Sequence, residues 1–222
     1  TSKDKTLEKY TSVLRENVEE LNGLIQEILD FRKAEDAGFS HTHIRRVSVS
    51  SLLRTQFEWF YPLSEQHQIQ FKIDAPKELY WNTDSVYFKK ILANLISNAF
   101  KYTEDGGTVR ISLHEEENFL VLKVYNTGKG IEEADMQNIF DRYRILGTMD
   151  NDDNRQNTTR NGLGLFICHS LVQSLGGKID IESEVGQYAE FTVTLPFGIV
   201  EESSDDTIDE DIPVSLPSPN TD

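Results

Sequence analysis

Three stretches of this chain of 222 residues combine residue types in spacings that can do chemistry. Asn161-Gly162-Leu163-Gly164-Leu165 opens an apolar helical pattern at residues 163–175. A helix start presents uncovered backbone N–H groups and is a ready anion site. Asn126-Thr127-Gly128-Lys129-Gly130-Ile131 follows directly on a strand pattern. Either glycine cluster alone also reads as ordinary turn punctuation. The third stretch, residues 90–103, puts Asn94, Asn98, Lys101 and Tyr102 at i, i+4, i+7 and i+8, within one helical face. Asparagines in so apolar a helix cost free energy unless they are bonded. They are therefore either capped core amides or a ligand site.

Several other chemistries fail on spacing. A P-loop needs a glycine five residues before Gly128, where Lys123 stands, and a Ser or Thr after Lys129, where Gly130 stands. A dinucleotide fold needs a glycine-rich turn joining the first strand and helix of a βαβ unit, and none is present. His41 and His43 have no nearby residues to complete a metal-ligand set. The single cysteine, Cys168, excludes a disulfide framework and fits a reducing compartment. Cys168 and His169, on the helix after Gly164, read as structural.

The elements that must position these residues can be read from periodicity. Leu7, Leu14, Leu21 and Ile28 recur every seven residues, with Tyr10, Asn17, Leu24 and Phe31 as a second series, so residues 1–37 read as one long amphipathic helix. Such a helix needs partner helices to bury its stripe. Residues 39–49 are polar. Leu52, Leu53, Phe57, Phe60 and Tyr61 then mark a helix, and Ile69, Phe71 and Ile73 alternate as a strand. Residues 79–81 form a second short strand, and Thr83-Asp84 is the N-cap of an apolar helix at 85–102. Strands follow at 108–114 and 118–125, joined by a turn at Glu115–Glu117. A short helix is expected at 132–140 and a loop at 147–161. A last hairpin, 178–183 with 190–195, follows Gly176-Gly177. Helices come after strand pairs, which predicts an α+β, two-layer α/β sandwich with a mixed sheet.

Charge sorts the partners. The chain has 22 basic and 38 acidic residues, a net charge of -16. Eight of the acids lie between Glu201 and Asp222, where there is no Lys or Arg and where Pro213, Pro217 and Pro219 add to a linker-like composition. No basic stripe suits a phosphate backbone or an anionic lipid surface, so neither nucleic acid nor membrane contact is expected of this segment. No run approaches the roughly 20 apolar residues of a membrane-spanning helix, and the first residues do not read as a signal peptide.

Taken in order, the motifs resemble the ATP-binding domain of sensor histidine kinases, within the wider group that includes chaperone and mismatch-repair ATPases. The matching parts are an asparagine box (Asn94–Thr103), a first glycine box (Asn126–Ile131), a phenylalanine box (Ile139-Phe140-Asp141-Arg142-Tyr143) and a second glycine box (Gly162–Leu165). The resemblance runs from about residue 50 to 196 and implies a Bergerat-type sandwich that binds ATP and Mg²⁺. It implies that Asn98 ligates the metal and that Asn94, Lys101 and Tyr102 line the nucleotide. Asn126, Gly128, Gly130 and Ile131 would then face the purine. Gly162, Leu163, Gly164 and Leu165 would supply phosphate donors, residues 141–161 the lid, and Arg142 with Lys101 the charge beside the transferred phosphate.

The same resemblance divides the chain into the second helix of a dimerisation and phosphotransfer bundle (1–38), the catalytic domain (39–198) and an acidic linker or tail (199–222). It makes this a cytoplasmic segment of a longer membrane-anchored sensor. The bundle and the receiver domain of a response regulator would be its partners. Three departures stand out. Asn126 and Arg160 replace the family's usual Asp and Gly, and no histidine is followed by an acid and then Thr/Asn-Pro. His114-Glu115 reads as part of a turn. Two other readings are a hydrolytic ATPase of the same fold and a degenerate nucleotide-binding or dimerisation module.

Overall fold

The computed structural model describes residues 42–141 and 164–199. Two sheets are present among them. A small antiparallel pair joins β1 (Arg45–Ser48) to β3 (Tyr80–Thr83). The main sheet has the order β2 (Gln70–Asp74), β4 (Thr108–Glu116), β5 (Phe119–Thr127), β7 (Tyr188–Pro196) and β6 (Lys178–Glu184). It is mixed, since β2 runs parallel to β4 while the other neighbours are antiparallel. Helices α1 (Val49–Gln66), α2 (Ser85–Tyr102) and α4 (Gly164–Ser174) pack on it, and a single turn, α3 (Glu133–Met136), follows β5.

The alternation along the strands explains the layering. Leu120, Leu122, Val124 and Asn126 of β5 turn inward with Val109, Ile111 and Leu113 of β4 and Ala189, Phe191, Val193 and Leu195 of β7. Against them lie Phe88, Ile91, Leu92, Leu95, Ile96 and Ala99 of α2, and Ile167, Cys168, Leu171 and Val172 of α4. Burying each large side chain stabilises the fold by about 1.5–3 kcal/mol. The opposite sheet face carries polar and aromatic pairs. Arg110 lies 4.6 Å from the Tyr125 ring centre, and Tyr125 stacks on Tyr188 at 5.5 Å.

The start of α2 and the end of α4 are chemically specified. One oxygen of buried Asp84 accepts from the N–H groups of Val86 (2.8 Å) and Tyr87 (3.1 Å), the capping expected of it. Its other oxygen accepts from His43 N–H at 2.9 Å, so the same side chain fastens the segment leading into β1. At the end of α4, Gly176 (φ 69°) donates to Gln173 O and Gly177 to Val172 O, a Schellman stop that glycine makes without steric cost. Trp81, almost fully buried, donates from Nε1 to Pro196 O at 3.0 Å and ties the small sheet to β7.

Four local expectations need correction. The polar stretch before residue 49 contains β1, an edge pairing carried by backbone and by Arg46 lying 5.2 Å from the Tyr80 ring centre. His114-Glu115 is strand rather than turn: β4 runs to Glu116, and the turn is Glu117-Asn118, both with positive φ (48° and 67°). That two-residue turn matches the twist of the flanking strands. The strand expected to end at 125 continues through Thr127, so Asn126 belongs to β5. The helix expected at 132–140 closes after Met136, because Asn138 and Asp141 bond three residues back and tighten the chain into turns.

Candidate functional site

Helix α2 is the floor of the site. One side of it supplies the core; Asn94, Asn98 and Lys101 are half-buried and Tyr102 is 41% exposed. Lys101 Nζ lies 5.8 Å from the Tyr102 ring centre. The helix ends when Thr103 Oγ1 donates back to Ala99 O at 2.6 Å, leaving the polar residues on its last turns.

Two glycines from distant parts of the chain close on this floor. A β-carbon at Gly128 would collide with the carbonyl oxygen of Tyr102. A β-carbon at Gly164 would stand 3.2 Å from Asn94 Oδ1. Glycine is needed at the first position because the loop after β5 lies directly on the end of α2. At the second, it lets the start of α4 approach the asparagine. The structure therefore brings the first glycine box to the C-terminal end of α2, at Tyr102, and Gly164 of the second glycine box, followed by half-buried Leu165, to the middle of the same helix, at Asn94.

Asn126 sits on the inner face of β5, 5% exposed, between Val109 and Ala189. Its Nδ2 donates one of its two hydrogens to Thr127 O at 3.2 Å, an orientation that makes Oδ1 the acceptor end of the amide. Ile131, at the other end of the loop, is buried and donates its backbone N–H to Ser183 Oγ at 2.9 Å. Gly130 (φ 64°) packs against the carbonyl of Glu184. Sequence reasoning missed this second wall. A lone Ser183 in an alternating strand carries no motif, and its contact spans 52 residues. Thr127 was also missed as a support; its Oγ1 accepts from Thr108 N at 2.8 Å and holds the loop to the start of β4.

The phenylalanine box is anchored from below. Ile139 is buried, and Phe140 stacks on His169 of α4 with centres 5.2 Å apart and planes at 18°. Cys168 beside it is fully buried, and burial pushes its thiol far above the ordinary range, so it stays protonated and inert. Arg142, Gly162 and Leu163, with the rest of the expected lid to 161, lie outside the described residues, as do the helix at 1–37 and the acidic segment from 201. Among the described residues no cluster of three or more His, Cys, Asp or Glu could cage a metal, and no helix is long and apolar enough to cross a membrane.

A mixed sheet with helices on one face, and glycine loops closing on a polar helix end, defines the class of ATP-binding sandwich that the four motifs resemble. The sequence profile of the histidine kinase-, DNA gyrase B-, and HSP90-like ATPases matches residues 83–199. The chain belongs to that family. Among curated proteins it is similar to the circadian input-output histidine kinase CikA of Synechococcus elongatus, with 32% identity over 191 residues. It is also similar to the sensor protein SrrB of Staphylococcus aureus, with 30% identity over 196 residues. These alignments cover 85% and 88% of this chain, which spans only 25% and 33% of those relatives. Among solved structures, full-length ShkA in complex with AMPPNP superposes with a TM-score of 0.71 and 26% identity, over 85% of this chain and 38% of that one.

Proposed function

We propose that this chain is the ATP-binding catalytic core of a sensor histidine kinase. It transfers the γ-phosphate of ATP to a histidine on a helix of a dimerisation bundle, for relay to an aspartate in the receiver domain of a response regulator. The observation that carries this reading is the approach of Gly128 and Gly164 to the polar face of α2, at Tyr102 and Asn94. Their close approach brings backbone of both glycine boxes beside the amide and ammonium groups of one helix, the donor and acceptor types a nucleotide needs. CikA is named a histidine kinase and SrrB a sensor protein, and ShkA was crystallised with AMPPNP, an ATP analogue.

The residues suit the ligand they would hold. Asn98 offers an amide oxygen, a hard donor, and no all-protein carboxylate cage competes with it among the described residues. That fits Mg²⁺, which keeps waters and takes phosphate oxygens. When bound, the ion neutralises charge on the phosphates. Lys101 and Arg142 would stabilise the charge of the transferred group, and Gly162–Leu165 would donate backbone N–H groups to the phosphate chain. Asn94 and Tyr102 line the nucleotide, while Gly128, Gly130, Ile131 and Asn126 form the purine end. The hydrolytic reading is disfavoured by Asn94 itself. It stands where hydrolytic members of the fold have a general-base glutamate, and an amide cannot take a proton from water.

In this reading residues 1–38 are the second bundle helix, 39–198 the catalytic domain and 199–222 an acidic linker, in the cytoplasmic part of a membrane-anchored sensor. The direct test is calorimetric titration of the chain with ATP, with and without Mg²⁺. Saturable binding strengthened by the metal is expected. No binding at millimolar nucleotide would overturn the proposal.

A further inference from the structure

The turn between β6 and β7 is stitched to the first glycine box, and a stitch at that place is more than hairpin closure. Three hydrogen bonds among the described residues join the two segments. Gly128 N–H donates to Gln187 O at 3.1 Å, Gly186 N–H to Lys129 O at 2.8 Å, and Ile131 N–H to Ser183 Oγ at 2.9 Å. The Ser183 hydroxyl in turn donates its proton to Tyr188 O at 2.6 Å. Its one proton is committed to the hairpin, so its lone pair is aimed at the loop. Gly130, at φ 64°, lies against the Glu184 carbonyl next door.

The glycine loop is thus wedged between the end of α2, which it meets at Gly128, and the β6–β7 turn. Two of the three stitches are backbone to backbone and survive substitution. Ser183 is the side chain that mutation can remove, and it holds the end of the loop where Ile131 is buried. A loop with two glycines has many accessible conformations, and ordering it on ligand binding would cost affinity unless it is ordered in advance.

We propose that Ser183 is a positioning residue for nucleotide binding. It fixes the glycine loop from outside, through Ile131, in the shape that receives the base, without touching the nucleotide. This rests on the nucleotide reading above. Losing the hydroxyl leaves Ile131 N–H unpaired and the loop free to move at its base-facing end, while Asn98, Lys101 and the start of α4 keep their places. The effect therefore falls on binding of the common base and not on the phosphate end.

The test is Ser183→Ala, with Ser183→Thr as the conservative rescue, in the full chain. The expected result is a roughly tenfold weaker Kd for both ATP and ADP, the size of one lost hydrogen bond. Phosphotransfer to a supplied bundle should show KM raised by a similar factor and kcat within about twofold, and Thr should restore most of the affinity. Should Ser183→Ala fail to fold, Ser183→Cys, which keeps the size but offers only a weak sulfur acceptor, should give the same pattern. Unchanged ATP affinity in a folded Ser183→Ala, or a loss confined to kcat, would overturn this inference alone. Failure of the unaltered chain to bind ATP would overturn the nucleotide reading as well.

Discussion

Helix α2 has two sides that obey different rules. On one, Phe88, Ile91, Leu92, Leu95 and Ile96 are completely buried against the sheet and neighbouring helices. On the other, Asn94, Asn98, Lys101 and Tyr102 are only partly covered, and Gly128 and Gly164 come close to Tyr102 and Asn94. Folding explains the first side completely. It does not explain the second, because an apolar or simply charged face would serve stability as well and would not need the close approach of Gly128 and Gly164. Under the proposed function, the cost of placing amides on a core helix is offset by what they bind.

Substitutions on the two sides should therefore have opposite signatures. Leu95→Ala should lose about 2–5 kcal/mol of stability from lost burial and a residual cavity, seen as a lower denaturant midpoint. ATP affinity of the protein that remains folded should change little. Asn98→Ala should do the reverse. It should leave stability within about 1 kcal/mol but weaken Mg·ATP by roughly 10- to 100-fold, the size of a lost interaction with a charged partner. An Asn98→Ala variant that melts early yet binds normally would make the amide a core group and break the comparison.

A smaller effect is expected at Asn126, which belongs to neither side of α2 but stands on β5 beside Gly128. One of its two amide hydrogens goes to Thr127 O, and its oxygen can accept a neutral hydrogen bond from adenine where aspartate would accept a charge-assisted one. An amide can also flip and meet guanine's carbonyl with its NH₂. Asn126→Asp should therefore raise the ATP/GTP affinity ratio roughly 5- to 30-fold. A ratio that does not rise on titration of the two nucleotides would remove Asn126 from base recognition.

What could be read from the sequence follows the same divide. The buried side of α2, the Asp84 cap, the Gly176-Gly177 stop and the mixed sheet were all legible, because periodicity and capping act over a few residues. The motifs on the polar side were legible as a resemblance, since their order and spacing are distinctive. Strand β1 was hidden because its pairing is made by backbone, with exposed Arg45 and Arg46 breaking any alternation. The hairpin turn was misplaced by the run of acids after His114, which reads as turn although the strand continues through Glu116. The Ser183 stitch was invisible because it joins residues 52 apart and involves one hydroxyl. Local signals carry elements; supports of a loop from across a sheet leave no local trace.

The central claim is that the polar end of α2 serves phosphoryl transfer to another helix and not hydrolysis. The most direct measurement supplies γ-labelled ATP, Mg²⁺ and a separate bundle carrying a phosphoacceptor histidine to this chain. It follows both the label on each protein and the release of free phosphate. The account predicts acid-labile label on the bundle histidine, none on this chain, and loss of that label with Asn98→Ala. Release of free phosphate at a steady rate with no label on the bundle would contradict it.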